Sequence, residues 1–381
     1  MAGLYIHIPF CISKCPYCSF LSFPSHETKN REKYLTAVAR QADQMADHPW
    51  VVAADFTTLY LGGGTPTMYD GKELAGLIRE CCKRFRIDIF SEETEISVEA
   101  NPNTVSIETL QSLRNAGVNR LSIGCQSFSD ALLKTLGRSH TVSDSREAYE
   151  QARRAGLDNI SLDLMFGLPG QSVSDWQNTL EKAVALAPDH FSIYELMVED
   201  NTPLAKSIEA GELALPPEEE VVAMYENIQI TMAATGFERY EISNYARPGK
   251  QSRHNINYWQ NNSYVGLGAG AVSSFEGMRV TNVSDPDRYI NLVEREKFPF
   301  EDGECLPLEA SFRETVIMGL RMTVGVSCPE LEKRFGLTPE QYYGKILQRC
   351  IDQGLVVLDK DYLRLTEKGL PVANQVLALL V

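Results

Sequence analysis

Three cysteines lie close together near the start of this 381-residue chain, and their spacing indicates a metal centre. Cys11, Cys15 and Cys18 fall within the sequence CISKCPYCSF, and Phe20 stands where another thiolate could have followed. Structural zinc takes four protein ligands, commonly as two paired knuckles, and His26 is the candidate for a fourth. A disulfide would leave one thiol over. A cubane iron–sulfur cluster fits three thiolates better, and it leaves one iron open to a substrate or cofactor.

The composition sets limits on the class of protein. The chain is 44% hydrophobic and 23% charged, as in ordinary globular proteins, and its formal net charge is −15. A net charge of this sign argues against non-specific binding to nucleic acid or to an anionic membrane. The N-terminus does not read as an export signal, and no stretch approaches the roughly 18 apolar residues of a spanning helix. We therefore expect a soluble, cytoplasmic protein, in which the six cysteines outside the cluster are small buried residues.

Short β-rich runs alternate with helical patterns through residues 4–196. The runs cover residues 4–10, 56–63, 95–100, 119–124, 159–164 and 190–196, and helical spacing of apolar residues covers 72–85, 107–117, 146–156 and 176–186. Strands that alternate with helices of this length predict parallel βαβ units. Six such units predict an α/β fold with a partial (β/α)6, TIM-like barrel, and an open doubly wound sheet is the second possibility.

Polar and glycine residues follow the predicted strands at the point where each one ends. The cysteine loop follows the first strand, GGGTPT follows the second, and Glu99, Gln126, Asp163 and Glu195 close the next four. The carboxyl ends of parallel strands meet at one edge, where α/β proteins bind their ligands. The glycines allow close backbone approach and free N–H groups, and the carboxylates suit hydroxyls or a cation. We therefore predict one cavity lined by all six strand ends.

The pattern changes after the predicted barrel, and we divide the chain into residues 1–215, 216–300 and 301–381. Residues 254–275 are rich in Gly, Asn and aromatic side chains and are predicted as loop and strand beside a site. The last region is predicted as a small winged-helix-like domain with α+β and helical elements, including a helix over 339–354. This helix is not conspicuously basic, so we expect a lid or docking domain rather than one that binds nucleic acid.

The pattern CxxxCxxC with Tyr17 before the last cysteine resembles the signature of radical S-adenosylmethionine (radical SAM) enzymes. The resemblance implies a [4Fe–4S] cluster on Cys11, Cys15 and Cys18. In that superfamily the open iron chelates the amino and carboxylate groups of S-adenosylmethionine, and an electron from the cluster cleaves the sulfonium to give a 5′-deoxyadenosyl radical. The resemblance also implies a reductant such as flavodoxin or ferredoxin if the cluster cycles.

Longer motifs extend the resemblance over nearly the whole chain. The motifs YIHIPFCISKCPYC, LYLGGGTPT, EANP, NRLSIGCQSF, LGRSH and DLMFGLPGQ are similar to the oxygen-independent coproporphyrinogen III oxidase family. Carried over residue by residue, this similarity implies that S-adenosylmethionine binds at Tyr5, Phe20, Gly63, Gly64, Thr65, Glu99, Gln126, Arg138 and Asp163. In this assignment the residues 63–65 meet the methionine amino group, and Arg138 pairs with the methionine carboxylate.

Two departures from the oxidases and one further motif resemble their sister group, the HemW-type heme chaperones. The oxidases carry a cysteine at the place of Phe20, and they have an N-terminal extension where this chain begins its first strand almost at once. The sequence HNINYW resembles the HNxxYW motif of the chaperones. This resemblance implies that His254 is the heme-iron ligand or attachment residue and that Asn255, Tyr258 and Trp259 shape the pocket.

The resemblance is compatible with three functions. The first is a heme chaperone that binds heme, a [4Fe–4S] cluster and S-adenosylmethionine and delivers heme to hemoproteins. The alternative is an oxygen-independent coproporphyrinogen III oxidase, which decarboxylates the propionates of its substrate by radical chemistry, and the third is another radical enzyme. Phe20 and HNINYW favour the chaperone, for which oxidase activity is not expected. A monomer and a dimer that depends on the cluster or on heme both stay open, as does covalent attachment of heme.

Overall fold

The computed structural model describes residues 1–24 and 30–381 of the chain, so His26, weighed above as a zinc ligand, lies outside the described residues. The strands are β1 (Ala2–Ile8), β2 (Phe10–Cys11), β3 (Phe23–Pro24), β4 (Phe56–Gly63), β5 (Glu95–Ala100), β6 (Arg120–Gln126), β7 (Ile160–Phe166), β8 (His190–Glu195), β9 (Glu238–Arg239), β10 (Asn244–Ala246), β11 (Tyr264–Leu267), β12 (Val272–Phe275), β13 (Met278–Asn282), β14 (Phe300–Cys305), β15 (Val326–Ser327), β16 (Val356–Leu358) and β17 (Tyr362–Leu365). The helices are α1 (Arg31–Ala46), α2 (Pro49–Ala53), α3 (Gly71–Arg84), α4 (Ile107–Arg114), α5 (Asp130–Thr135), α6 (Val142–Arg154), α7 (Val173–Ala185), α8 (Pro203–Glu209), α9 (Glu218–Thr235), α10 (Arg253–Trp259), α11 (Pro286–Glu294), α12 (Leu308–Gly319), α13 (Cys328–Phe335), α14 (Pro339–Tyr343), α15 (Lys345–Asp352) and α16 (Ala373–Leu379).

The parallel strands of the central sheet follow one another in chain order. Within the described residues, twelve strands form one sheet in the order β14-β13-β12-β11-β1-β4-β5-β6-β7-β8-β10-β9. β1 and β4 to β8 are parallel neighbours, and β11 adds another parallel strand beside β1. A doubly wound sheet would reverse its strand order part-way. The predicted partial (β/α)6 barrel is therefore confirmed, and it is open because β14 and β9 form opposite edges of the sheet.

The predicted strands and helices of the barrel are present, because their signals are local. β4 and β5 have the predicted bounds, and α3, α4, α6 and α7 overlap the four predicted helical segments, with α6 and α7 beginning three to four residues earlier than predicted. Capping boxes start α6 and α7, where Thr141 pairs with Asp144 and Ser172 pairs with Asp175. Gly156 follows α6 at φ 84°, a left-handed conformation that glycine adopts easily at the end of a helix.

The barrel strands carry apolar residues on one face and polar residues on the other. On β4, Leu59 and Leu61 are fully buried in the main apolar core, whereas Thr58 and Tyr60 make hydrogen bonds inside the barrel. Successive side chains of a strand point to opposite faces, so the same alternation continues along the sheet. The polar residues that bond one another in the interior of β5 to β8 are Glu95, Ser97, Arg120, Ser122, Ser161, Asp163, His190 and Ser192.

The C-terminal region has an apolar core of its own, which includes Phe312, Leu331 and Leu363. In the part of the chain that the structure describes, this region holds α12 to α16 and a sheet in the order β15-β17-β16. The single helix predicted over 339–354 is wrong, because Gly344 adopts φ 50° and separates α14 from α15. The domain boundaries at 215 and 300 stay a prediction; α9, just after the first of them, packs on α7 in the main core.

The first part of the segment predicted as loop and strand is instead a helix, α10. β11 and β12 follow it as predicted strands. Residues 253–259 form a helix because a residue far away in the chain caps its first turn. Ser252 accepts a hydrogen bond from the Asn255 N–H at 3.3 Å. The Glu95 carboxylate on β5 accepts further bonds from the backbone N–H groups of Arg253 at 2.8 Å and His254 at 3.1 Å. A distant carboxylate therefore satisfies the first turn of this helix.

Two expectations from composition can be compared with the structure. Among the described residues, no helix is long and apolar enough to span a bilayer. Four of the six cysteines outside the cluster motif are buried: Cys81, Cys82, Cys125 and Cys350. The expectation of burial is wrong for Cys305, which is exposed because β14 is an edge strand, and Cys328 is half-buried at the start of α13.

Candidate functional site

A cleft of about 380 Å³ opens at the carboxyl ends of the parallel strands. It brings together the three clustered cysteines and eight of the nine residues predicted to bind S-adenosylmethionine. These residues are Cys11, Cys15, Cys18, Phe20, Gly63, Gly64, Thr65, Glu99, Gln126, Arg138 and Asp163. The prediction that the strand ends share one cavity is therefore correct for these residues, which come from separate βα loops and strands.

The cysteine loop presents its thiols to polar groups on neighbouring strands. The Thr65 hydroxyl donates to Cys11 Sγ at 3.7 Å, and an Arg138 guanidinium nitrogen lies 3.6 Å from Cys15 Sγ. Burial raises the pKa of the Cys11 thiol above its usual range. The loop is anchored from below, because His7 Nε2 lies 2.9 Å from the Leu21 carbonyl oxygen. The loop thus offers three free thiols beside one cation, in a fixed position.

The donor set fits a cluster better than it fits a single ion. Among the described residues, no three His, Cys, Asp or Glu side chains converge closely enough to hold one metal ion. A cubane distributes its ligands over several iron atoms, so its thiolates stand further apart than those around one ion. Three thiols that line a cleft therefore fit a cubane whose remaining iron faces the cleft.

Two carboxylates on the cleft are held by hydrogen bonds from neighbouring strands. Glu99 accepts from the Tyr60 hydroxyl at 2.7 Å and from the Gly63 N–H at 3.0 Å. Asp163 accepts from the Ser122 hydroxyl at 2.8 Å and from the Ser161 hydroxyl at 3.1 Å. Burial raises the pKa of both carboxyl groups above their usual range, although these hydrogen bonds oppose the shift. Such fixed carboxylates suit the hydroxyl groups of a ribose.

The glycine loop after β4 uses its N–H groups inside the protein. The Gly64 N–H donates to the Ile8 carbonyl at 2.8 Å, and the Thr65 N–H donates to the Phe10 carbonyl at 2.7 Å. The expectation of free N–H groups in GGGTPT is therefore wrong for these residues and for Gly63, which donates to a carboxylate. A ligand ammonium at this loop would be held by acceptor oxygens instead.

Other cleft residues carry polar atoms that have no partner. Arg138 Nε and Asn101 Oδ1 are buried and make no hydrogen bond within the described residues. Gln126 lies at a register shift between β6 and β7 and adopts φ 62°, an uncommon conformation for a residue other than glycine. Local strain of this kind clusters at ligand sites. A free donor and a free acceptor on one cleft fit a ligand with both kinds of group, as the amino-acid end of S-adenosylmethionine has.

Three exposed apolar side chains line the mouth of the cleft, alongside the exposed polar residues Ser13, Ser19 and Glu199. Phe20 is 69% exposed, Met197 is 68% exposed and Ile12 is 44% exposed, and all three line the cleft. Phe20 stands where the oxidase motif has a cysteine, so this position adds a bare aromatic ring in place of a thiol.

Three predicted residues are placed differently from the expectation. Tyr5 does not line the cleft: its hydroxyl lies 2.8 Å from His7 Nδ1, beneath the cysteine loop. Glu195 ends β8 but is exposed and does not line the cleft either, because the strand alternation turns Tyr194 toward it instead. Asp163 lies within β7 rather than at its end, and it still reaches the cleft.

The histidine of HNINYW lies deep in the barrel and away from the cleft. His254 is 1% exposed, its Nδ1 is 2.9 Å from the Thr58 hydroxyl, and its ring stacks on Tyr60 with centroids 5.1 Å apart. Its Nε2 is buried and has no hydrogen-bond partner in the described part of the chain. Burial, aided by the nearby charge of Arg120, lowers the pKa of His254 to about 3. The imidazole is therefore neutral at neutral pH.

The other residues of the motif lie on the same helix, α10. The Tyr258 ring packs edge-on against His254 at 4.9 Å, and the Arg321 guanidinium lies 4.7 Å from the Trp259 ring centroid. Asn255 donates its backbone N–H to Ser252 in the cap of the helix. The structure places these residues on one short helix, with Tyr258 packed against His254, separate from the cleft, and their role in heme binding stays a prediction.

Sequence reasoning missed the polar residues that line the barrel interior. Tyr60 contacts both Glu99 and His254, and Glu95 fixes the start of α10. Arg120 is buried with one guanidinium nitrogen 3.3 Å from His190 Nδ1. The available signal was the alternation of polar and apolar residues in EISVEA and HFSIYE, which indicates a polar inner face in strands that are otherwise buried.

Comparison with known proteins assigns the chain to a family. Residues 5–183 match the radical SAM superfamily, and residues 306–372 match the HemN C-terminal domain. The heme chaperone HemW of Bacillus subtilis is 37% identical over 376 residues, covering 99% of this chain and 98% of that protein. The chain belongs to the HemW family of radical SAM proteins. HemW of Escherichia coli K12 is 33% identical over 385 residues, covering 99% of this chain and 97% of that protein.

A solved structure shares the fold of this HemW-family chain. The coproporphyrinogen III oxidase HemN of Escherichia coli, described as a radical SAM enzyme, superposes with a TM-score of 0.85 at 22% identity. The match covers 100% of this chain and 89% of that one. The likeness extends through the barrel and the C-terminal region, and it concerns the fold alone.

Proposed function

We propose that this protein is a heme chaperone that binds a [4Fe–4S] cluster, S-adenosylmethionine and heme, and that delivers heme to hemoproteins. The observation that carries the proposal is Phe20, an exposed ring at the cleft mouth in the position where the oxidase motif has its further cysteine. Full-length similarity to proteins named heme chaperone HemW supports it. We further propose a cytoplasmic location and a flavodoxin or ferredoxin as reductant.

In this proposal the cleft residues hold the cluster and S-adenosylmethionine. Cys11, Cys15 and Cys18 would ligate the cluster, which when bound supplies an electron and an open iron for the amino-acid end of S-adenosylmethionine. Arg138, with its unpartnered Nε, would pair with the carboxylate of that ligand. Glu99 and Asp163 would accept hydrogen bonds from ribose hydroxyls. The exposed apolar side chains at the mouth would cover part of the bound ligand.

His254 would ligate the heme iron through Nε2, the ring nitrogen that has no partner. A histidine binds a metal as the neutral imidazole, and the lowered pKa of His254 keeps the ring in that form at neutral pH. The ring is 1% exposed, so an iron held in a porphyrin reaches it only if α10 moves away from β1 and β4. Heme loading would therefore require a local opening at the HNINYW helix, and release would reverse it.

An anaerobic assay on one reconstituted sample separates a chaperone from an oxidase. The protein is incubated with coproporphyrinogen III, S-adenosylmethionine and reductant, and a second portion is loaded with heme and mixed with an apo-hemoprotein. We expect heme transfer and no protoporphyrinogen, with the Escherichia coli oxidase as the positive control for turnover. Protoporphyrinogen formation at a rate like that of the control would refute the chaperone proposal.

A further inference from the structure

One residue touches both the cleft and the buried histidine. The Tyr60 hydroxyl donates to Glu99 Oε1 at 2.7 Å, and Glu99 lines the cleft. The His254 ring stacks on the Tyr60 ring, with centroids 5.1 Å apart and an interplanar angle of 24°. No other residue in the described part of the chain bonds the Glu99 side chain except Gly63, through its backbone N–H. Tyr60 is therefore the side chain that links the two regions.

The link is built into the inner face of β4. Thr58, Tyr60 and Gly62 are alternate residues of this strand, so they point to the same side. Thr58 bonds His254 at one end of this row, and Glu99 lies over Gly62 at the other. A Cβ on Gly62 would come within 2.8 Å of the Tyr60 ring and 2.9 Å of the Glu99 carboxyl carbon. Because residue 62 is glycine, the strand leaves space there, and the Tyr60 side chain and the Glu99 carboxylate fill it.

We propose that Tyr60 is a positioning residue that couples ligand binding in the cleft to the movement of α10. Its hydroxyl fixes the Glu99 carboxylate for a ligand hydroxyl, and its ring supports His254. A displacement of His254 removes the support from one face of the Tyr60 ring, and occupation of Glu99 holds the Tyr60 hydroxyl in place. Any such coupling acts equally in both directions. The identity of the ligands, S-adenosylmethionine and heme, rests on the proposed function.

The first test separates the hydroxyl from the ring. Tyr60→Phe keeps the stacking on His254 and leaves Glu99 Oε1 without its donor. We expect the anaerobically reconstituted variant to bind S-adenosylmethionine about tenfold more weakly, the usual scale for a buried charged group that loses a partner. Heme titration without S-adenosylmethionine should be unchanged. Tyr69→Phe is the matched control, because the Tyr69 hydroxyl donates to the Arg31 carbonyl at 2.8 Å, outside both regions.

A double-mutant cycle shows whether Tyr60 acts through Glu99. In a Glu99→Gln background, Tyr60→Phe should weaken S-adenosylmethionine binding no further, since the carboxylate that it positions is gone. Fully additive losses would overturn the role as a positioning residue. If Tyr60→Phe does not fold, Gly62→Ala takes its place, because a Cβ at this position of β4 disturbs the same hydroxyl–carboxylate pair. Fully additive losses of Gly62→Ala and Glu99→Gln would likewise overturn the role.

The coupling itself is measured by titrating heme with and without saturating S-adenosylmethionine. The wild-type protein should show a ratio of the two heme affinities that differs from one, and Tyr60→Phe should bring that ratio close to one. Suppose that the wild-type protein binds both ligands. If Tyr60→Phe then binds S-adenosylmethionine with the wild-type affinity, the inference is overturned and the proposed function is left intact. A wild-type protein that binds neither ligand overturns both.

Discussion

The cleft and the pocket around His254 are built on the same strands and differ in almost every physical property. The cleft lies at the carboxyl ends of β4 and β5 and is open, with exposed side chains at its mouth and an unpartnered Arg138 Nε. The histidine bonds Thr58, five residues before Gly63 on β4, and is separated from the cleft by the side chains of Tyr60 and Glu99. There the interior is closed. In the proposed function, a small cofactor would enter the cleft without a change of fold, whereas heme at His254 would need α10 to move.

The ionisable groups of the two regions also have different surroundings. In the cleft, the Glu99 carboxylate has a raised pKa because of burial, yet it lies beside a volume that a ligand enters. In the interior, His254 is neutral and enclosed by aromatic rings. The difference means that substitutions in the cleft should change ligand binding with little effect on stability, whereas substitutions around His254 should change both.

The largest expected effect is on the cluster. Replacing Cys15 with Ala removes one of the three thiols proposed to hold the cluster and leaves a second iron without a protein ligand. We expect loss of the brown absorbance and of the bound iron after anaerobic reconstitution. Heme titration should persist, because His254 lies in the other region.

Cys305→Ala provides the matched control for this variant. Cys305 is an exposed cysteine on β14 and lines no part of the cleft. It should retain full cluster absorbance and iron. A Cys15→Ala protein with the iron content of this control would exclude the proposed ligand set.

An intermediate effect is expected at Gly62. Its Cβ would lie 2.8 Å from the Tyr60 ring and 2.9 Å from the Glu99 carboxyl carbon, so at least one of these side chains must shift. Folded Gly62→Ala protein should bind S-adenosylmethionine about tenfold more weakly, as for loss of a hydrogen bond to a charged group. Gly76→Ala on α3 is the control, since a Cβ there meets nothing within 4 Å. Equal affinities in the two variants would show that the cleft does not depend on this packing.

The smallest effect is a pH dependence of stability. An unfolded histidine takes up a proton near pH 6.5, whereas His254 in the fold stays neutral until about pH 3. The free energy of unfolding should therefore fall as the pH falls below 6.5, by about 1 kcal/mol for this residue between pH 6.5 and 5.5. The raised pKa values of Glu99 and Asp163 act in the opposite direction in every variant.

Comparison with His254→Gln isolates this contribution. Denaturant unfolding of the wild-type protein and of this variant, measured at several pH values, should give a shallower acid slope for the variant. Parallel pH profiles would mean that His254 titrates normally and is not enclosed.

The sequence alone was sufficient for the barrel and for most of the cleft. The strands alternate and the helices carry capping boxes such as Thr141 with Asp144, and these signals act within a few residues. The cleft follows from topology, because ends of adjacent parallel strands must meet. Tyr5 lies outside the lining of the cleft, and its position on β1 does not reveal that His7 and the cysteine loop lie between it and the cleft; its role in binding stays a prediction.

The region around His254 could not be predicted in the same way. α10 is a seven-residue helix whose first turn is satisfied by Glu95, a residue far earlier in the chain. Nothing in the local sequence of HNINYW distinguishes a helix from a loop. The burial of His254 depends on Thr58 and Tyr60, which lie on β4. Gly344 is a similar case, since a glycine in a helical pattern reveals neither continuation nor a break.

The central claim is that the cleft and the buried histidine are separate ligand sites within one chain. The most direct test is an anaerobic heme titration of wild-type protein and His254→Ala at equal iron content, with His48→Ala as a control. The account predicts that His254→Ala keeps its cluster but loses the heme absorbance change, while His48→Ala retains both. An unchanged heme titration in folded His254→Ala, or loss of its cluster, would contradict the account.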